Sequence, residues 1–183
     1  MSESKVASAA AHALGPDGAF AREVEGFAPR EVQQEMAAAV EAAIAEGGEL
    51  VVEAGTGTGK TFAYLVPALL SGQRVIVSTG TKTLQDQLFH RDLPRVREVL
   101  GARLKTALLK GRANYLCWYR LDQTVKDGSL PNKSDVVLLS RLRAWSARTS
   151  SGDIGEVEGV PDDAALWPRV TSTAENCLGA ECA

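Results

Sequence analysis

Residues 54–61 read Ala-Gly-Thr-Gly-Thr-Gly-Lys-Thr, and no other stretch limits so sharply what this chain can fold into. Glycine at every second position lets backbone N–H groups turn inward around an anion, where a side chain would block either the turn or the close approach. The string has the form of a phosphate-binding loop, with Ala54 where the commonest form has its first glycine. A short apolar strand at 50–52 precedes it and a helical stretch at 61–70 follows it. Strand, glycine loop and helix in that order are what a phosphate-binding unit requires, and the helix N-terminus adds its positive end toward the same anion. On this reading Ala54, Gly55, Thr56, Gly57, Thr58 and Gly59 cradle the phosphates of a nucleotide such as ATP. Lys60 neutralises the β- and γ-phosphates, and the Thr61 hydroxyl ligates Mg²⁺; these two are the catalytic candidates.

The flanking pattern extends that unit. Val32, Met36, Val40 and Ile44 recur every four residues between Pro29 and the Gly47-Gly48 pair, which predicts an amphipathic helix over 30–46. Arg30 and Gln33, three apart, project from one face of it; an adenine edge is a ligand they could share, and ordinary surface positions are the plainer reading. A second strand at 74–78 leads into a helix over 81–91 that Pro94 interrupts, and 104–109 reads as a third strand. Strands alternating with helices predict an α/β fold with a parallel sheet. Ser78, Thr79, Gly80 and Thr81 stand at the carboxyl end of the second strand, and Gln85 and Gln87 follow. Hydroxyls, amides and a helix start hold nucleic-acid phosphates without reading sequence, although Ser and Thr also simply cap helices there. Residues 1–28, rich in Ala, Gly and Ser, read as a flexible arm, residues 29–112 as the sheet domain, and residues 113–183 as an insertion with a helix near 135–147 and an acid-rich loop at 150–163.

Charge and cysteine bound the partners. The net charge is −3, yet the stretch 74–120 holds ten Lys or Arg against three acids, whereas 150–183 holds one Arg against seven acids. The basic stretch is a candidate phosphate-facing surface, or a solvated helical face. No apolar run approaches the roughly 20 residues of a membrane helix, and residues 1–11 lack the apolar core of an export signal, so a cytoplasmic protein is expected. Cys117, Cys177 and Cys182 are odd in number, which disfavours a disulfide framework and leaves zinc, an iron–sulfur cluster or free thiols. His12 and His90 are not evident substitutes for a fourth ligand.

Five stretches together resemble one family. They are Glu-Ala-Gly-Thr-Gly-Thr-Gly-Lys-Thr at 53–61, Ser-Thr-Gly-Thr-Lys-Thr-Leu-Gln-Asp-Gln at 78–87, Arg-Asp-Leu-Pro at 91–94, Leu-Lys-Gly-Arg-Ala-Asn-Tyr-Leu-Cys at 109–117, and Thr-Ser-Thr-Ala-Glu-Asn-Cys-Leu-Gly-Ala-Glu-Cys at 171–182. The chain is thereby similar to the iron–sulfur superfamily 2 DNA helicases of the DinG and XPD type, and within them to the bacterial YoaA branch. The resemblance implies a RecA-like P-loop motor domain, here in part, and the start of a mainly helical iron–sulfur insertion. It implies that Arg30 and Gln33 are the adenine-side pair, that Ser78, Thr79, Thr81, Gln85 and Arg112 contact DNA, and that Cys117, Cys177 and Cys182 are three of four ligands to a four-iron cluster. It further implies ATP-driven 5′-to-3′ movement on single-stranded or forked DNA, in replication or repair. Where the family continues with Pro and a fourth Cys, this chain has Ala183, and its acidic magnesium motif and second-domain arginines have no counterpart here. The expectation is therefore an amino-terminal piece that binds nucleotide and DNA but does not hydrolyse ATP alone.

Overall fold

The computed structural model describes residues 8–182 apart from Pro131 and Asp162, and the chain divides into two compact units, Met1–Ala107 and Leu108–Ala183. In the first unit, α1 (Ala9–Ala13) and α2 (Ala19–Glu23) lie within the stretch expected as a loose arm. Ser8 caps α1 by accepting a hydrogen bond from the Ala11 N–H at 3.0 Å. Ala10, Leu14 and Phe20 are fully buried, and Phe20 packs on Phe27 and Phe62 with ring centroids 5.6 and 5.3 Å away. From Ser8 onward, therefore, the stretch is core rather than arm. Its composition hid this because Ala and Gly dominate it, and the larger buried residues Leu14, Phe20 and Val24 are scattered among them. Gly18 is fixed by space: a Cβ there would lie 2.1 Å from the His12 carbonyl oxygen and 2.3 Å from that of Ala13.

Helix α3 (Glu31–Glu46) ends on Gly47 in the left-handed conformation, at φ 67°, as the paired glycines suggested. Its buried face differs from the expected stripe. Gln33 and Ala37 are inside, Met36 packs partly against the core, and Val32 is exposed. Helix α4 (Lys60–Leu70) buries Ala63, Leu65, Val66 and Ala68 and forms the centre of this unit. Pro94 does not end the next helix. α5 (Lys82–Gln87) runs through a π-helical turn at Leu88–Asp92 into α6 (Leu93–Val99), with Pro94 in the first turn of α6. The wider turn lets the Leu93 N–H reach back to the Leu88 carbonyl, so the helix tolerates a proline that has no N–H to give.

The three expected strands are not strands among the described residues. Val51 is 98% exposed, Ile76 91% and Leu109 81%. An apolar extended segment becomes a strand only when a neighbour takes its N–H and C=O groups, and these segments do not pair with one another. The apolar pattern reports the capacity for a sheet, whereas the ladder requires partners.

In the second unit, α7 (Trp118–Asp127), α8 (Lys133–Ser146) and α9 (Trp167–Val170) enclose a core of Leu121, Leu142, Leu166, Trp167 and Val170. The Thr124 hydroxyl donates to the Arg169 carbonyl at 2.9 Å, pinning α7 to α9. The Lys110–Asp153 ion pair, at 2.8 Å and nearly buried, sits beside the isolated antiparallel bridge between Tyr115 and Asp153. No helix among the described residues is long and apolar enough to cross a membrane.

Candidate functional site

The glycine loop leads directly into α4, and two of its glycines carry the conformation that only glycine adopts freely. Gly57 has φ 78° and Gly59 φ 83°. Gly59 is also held by space, since a Cβ on it would fall 2.1 Å from Nε2 of Gln33. Gly55 differs: its φ is unremarkable, and a Cβ would meet nothing closer than the Thr58 methyl at 3.9 Å. The expected need for glycine thus falls on Gly57 and Gly59 in this conformation.

Side chains gather around the loop from both directions. Lys60 donates from Nζ to the carbonyls of Ala54 and Gly55, each at 2.7 Å. Gln33, only 4% exposed, donates from Nε2 to the Gly59 carbonyl at 2.9 Å, and Arg30 donates to the Gly57 carbonyl. Thr58 closes the loop with a 3.0 Å bond from its hydroxyl to the Gly55 carbonyl. Arg30, Gln33 and Lys60 are therefore brought together with Gly57 and Gly59, as the spacing on α3 allowed. Arg30, at the N-cap of α3, and Gln33, in its first turn, grip the loop itself rather than projecting away from it. Chemically, this is an ammonium group held by two neutral carbonyls beside a helix N-terminus. A phosphate oxygen is the stronger partner for both groups, because charge-assisted hydrogen bonds are roughly twice as strong as neutral ones.

Tyr64 follows Thr61 by one turn along α4. Burial is the main influence raising the Tyr64 phenol above its ordinary value; the Thr61 hydrogen bond lowers it and the charge of Asp92 raises it. Asp92, 7% exposed, accepts from Gln87 Nε2 at 3.1 Å and from Arg91 Nε at 3.0 Å. Sequence reasoning passed over Tyr64 and Asp92. The only signal was the Arg-Asp-Leu-Pro string at 91–94, in which Asp92 is the one carboxylate.

Of the expected strand-contacting groups, Thr81 caps α5 by accepting from the Leu84 N–H at 3.3 Å, and Thr79 donates to the Thr81 carbonyl at 3.4 Å. Ser78 is exposed in the segment before α5, and Gln85 lies on α5. Arg112 belongs to the other unit, where its guanidinium neighbours the Cys177 thiol. That thiol is held below its ordinary value, first by the Gly179 backbone N–H and then by Arg112 and Ser172. Cys117 stands at the start of α7, its N–H bonded to the Val170 carbonyl at 2.8 Å, and Cys182 is exposed. Among the described residues no three His, Cys, Asp or Glu side chains converge so as to hold a metal ion.

Known proteins are similar to this chain. The chain is 52% identical over 166 residues to the ATP-dependent DNA helicase YoaA of Haemophilus influenzae, covering 91% of this chain and 26% of that protein. It is 55% identical over 172 residues to the YoaA of Escherichia coli, covering 92% and 27%. Against the ATP-dependent helicase DinG of Mycobacterium tuberculosis the identity is 43% over 176 residues, covering 84% and 26%. The chain thus spans about a quarter of the length of the curated relatives it matches. The sequence profile of the DEAD/DEAH box helicases matches residues 30–139 and implies a RecA-like P-loop fold. That match begins at Arg30, the first of the side chains that grip the glycine loop, and the chain belongs to the DEAD/DEAH box helicase family.

Proposed function

We propose that this chain is the nucleotide-binding part of an ATP-dependent DNA helicase, and that its glycine loop takes Mg²⁺·ATP. The observation that carries the reading is the convergence of Lys60, Gln33 and Arg30 on the carbonyls of one glycine loop at the start of α4. When nucleotide enters, Lys60 exchanges the Ala54 and Gly55 carbonyls for β- and γ-phosphate oxygens, and the Thr61 hydroxyl turns to the magnesium ion. Releasing the loop also releases Gln33 and Arg30 toward the adenine, so recognition of the base and opening of the loop are one event. Unwinding, 5′-to-3′ polarity and a place in replication or repair belong to the complete helicase. DNA contacts through Ser78, Thr79, Thr81, Gln85 and Arg112 are part of the same proposal. The three exposed apolar segments at 50–52, 74–78 and 104–109 supply strands of the parallel sheet once the rest of the motor pairs with them.

A four-iron cluster on Cys117, Cys177 and Cys182 also belongs to the proposal, on the donor chemistry of three thiols and the lowered Cys177. The donor type fits; the donor number is one short of four, and the thiols are not gathered, so no step is routed through it. When bound, such a cluster would supply a rigid covalent knot between the start of α7 and the segment after α9. Iron and acid-labile sulfide in anaerobically purified full-length protein, both lost on Cys117→Ser, are the expected result; stoichiometric zinc in a colourless protein is the contrary one.

The nucleotide reading is tested by titrating fluorescent Mg²⁺·ATP into the chain and its Lys60→Ala variant. Losing a charge-assisted bond of about 1.5–3 kcal/mol weakens binding roughly 10- to 150-fold. Equal affinities would remove Lys60 from the site.

A further inference from the structure

In the second unit a cavity of about 830 Å³ opens between α8 and the segment 156–159, a size at which small organic ligands are held. Arg141 and Trp145 lie one turn apart on α8, and Arg148 follows at its C-terminal end, so one wall carries a cation, an indole and a second cation. The facing wall supplies Glu156 and Glu158. Gly159 has φ 70°, and a Cβ on it would lie 2.2 Å from Nη1 of Arg141. The bare backbone there lets that guanidinium donate across to the Gly159 carbonyl at 2.5 Å, which ties the two walls together. Glu156 is also engaged, accepting from the Ser151 hydroxyl at 2.7 Å. Arg148 turns its Nε–H back to the Ala144 carbonyl at 3.3 Å. Its outer nitrogens, the Glu158 carboxylate and the indole N–H of Trp145 have no protein partner among the described residues, whereas Trp167 donates to the Pro161 carbonyl at 2.8 Å. The Trp145 ring itself packs in part against the core of the unit, which fixes it beside the cavity.

We propose that this cavity binds a free guanine mononucleotide, with the base on Trp145, its N–H edge on Glu158 and its phosphate on Arg148. An indole is a stacking surface for any base. A guanidinium with two outer nitrogens available suits a phosphate, which it meets with paired charge-assisted hydrogen bonds. The carboxylate selects the base. It accepts at two oxygens and donates nothing, and guanine alone among the common bases sets two N–H donors side by side on its pairing edge. Adenine and cytosine place a ring acceptor beside their amino group, which a carboxylate repels. Arg141, already committed to Gly159, is a positioning residue that holds the walls apart at a fixed width. The charge around the cavity argues for a single nucleotide over a strand. Glu156 and Glu158 stand in the wall, and 150–183 holds seven acids against one Arg, so a polyanionic backbone is repelled where one phosphate can be met by Arg148. The glycine loop lies in the other unit, so this site stands or falls independently of the reading of that loop.

The experiment uses the tryptophans as the reporter. Trp118, Trp145 and Trp167 all belong to the second unit, so quenching of their fluorescence reports this unit and not the glycine loop. Titrating guanosine monophosphate into the 183-residue chain should quench it saturably, and adenosine monophosphate, of equal charge, should bind about tenfold more weakly. Glu158→Gln, at an exposed position, should bring the guanine nucleotide down to the adenine level and leave the adenine nucleotide unchanged. Arg148→Gln should weaken both nucleotides about tenfold while leaving guanosine, which has no phosphate, unaffected. Trp145→Phe should keep a stacking ring but remove the quench, with Glu158→Gln deciding the matter if the core beneath the ring is disturbed. Absence of binding, equal affinity for the two nucleotides, or selectivity that survives Glu158→Gln overturns the proposal. A quench that persists in Trp145→Phe belongs to the exposed Trp118 and overturns it too. So does an oligo-dT strand carrying one dG that outcompetes the free nucleotide at equal guanine concentration, since the cavity would then belong to a strand path.

Discussion

The glycine loop and the cysteine-bearing segments are both motifs of this chain, and the fold treats them differently. Around the loop, side chains from α3 and α4 converge within hydrogen-bonding distance of its carbonyls, so the site is assembled by the polypeptide itself. Around the cysteines the chain arranges backbone rather than thiols. Cys117 is tied through its N–H to Val170 and Cys182 through its N–H to Gly179, but the three sulfurs do not meet. A phosphate loop is a local device, complete within eight residues and one helix start, and its groups can satisfy one another. Thiols 59 intervening residues apart have no attraction for one another, and a metal or cluster must supply the energy that gathers them.

The largest expected effects test whether each region rests on its own packing. Phe20→Ala removes a fully buried ring that contacts Phe27 and, next to Thr61, Phe62. A loss of about 3–5 kcal/mol is expected in denaturant melts, followed by weaker nucleotide binding as α4 loosens. An unchanged midpoint would restore the loose arm that composition suggested. In the cysteine-bearing unit the corresponding test is Lys110→Ala. It removes the ammonium from the nearly buried Asp153 carboxylate, which keeps its bond from the Gly155 N–H, and should cost about 1–3 kcal/mol in denaturant melts. A negligible change would mean that the unit is held by its apolar core alone.

A finer comparison lies within the loop. Gly59→Ala meets both a left-handed backbone and the Gln33 amide, whereas Gly55→Ala meets neither. The first should cost about 1–2 kcal/mol and displace Gln33, and the second should leave stability almost unchanged. If Gly55→Ala nevertheless abolishes nucleotide binding while the fold stands, the glycine is required for the bound conformation, and the self-satisfied loop is a resting state that opens around phosphate.

What could be read beforehand follows the same division. The loop, its lysine and its helix were legible because they lie within one or two turns of each other, whereas Arg30 and Gln33 read as an adenine-side pair or plain surface positions and meet the loop carbonyls across 27 and 26 residues of chain. The end of α3 was legible because Gly47 has only one good use at a helix terminus. The sheet was not, since apolar runs such as 74–78 declare a preference for extension but not a neighbour. The helical arm was missed because the energetic weight of Phe20 is invisible against a background of alanine. The π turn was missed because Pro94 reads as a break, and nothing in a one-dimensional string shows that a wider turn can absorb it.

The smallest effect asks whether the loop is in contact with the interior beside it. Burial raises the Tyr64 phenol, Asp92 raises it further, and the hydrogen bond from Thr61 opposes them. A group whose folded value is raised contributes stability that is complete below its unfolded value, about 10 for a phenol, and lost as pH rises through the folded value. Of the three tyrosines, Tyr64 should ionise late in an ultraviolet titration, and Tyr64→Phe should remove that late phase and flatten the decline of stability above about pH 10.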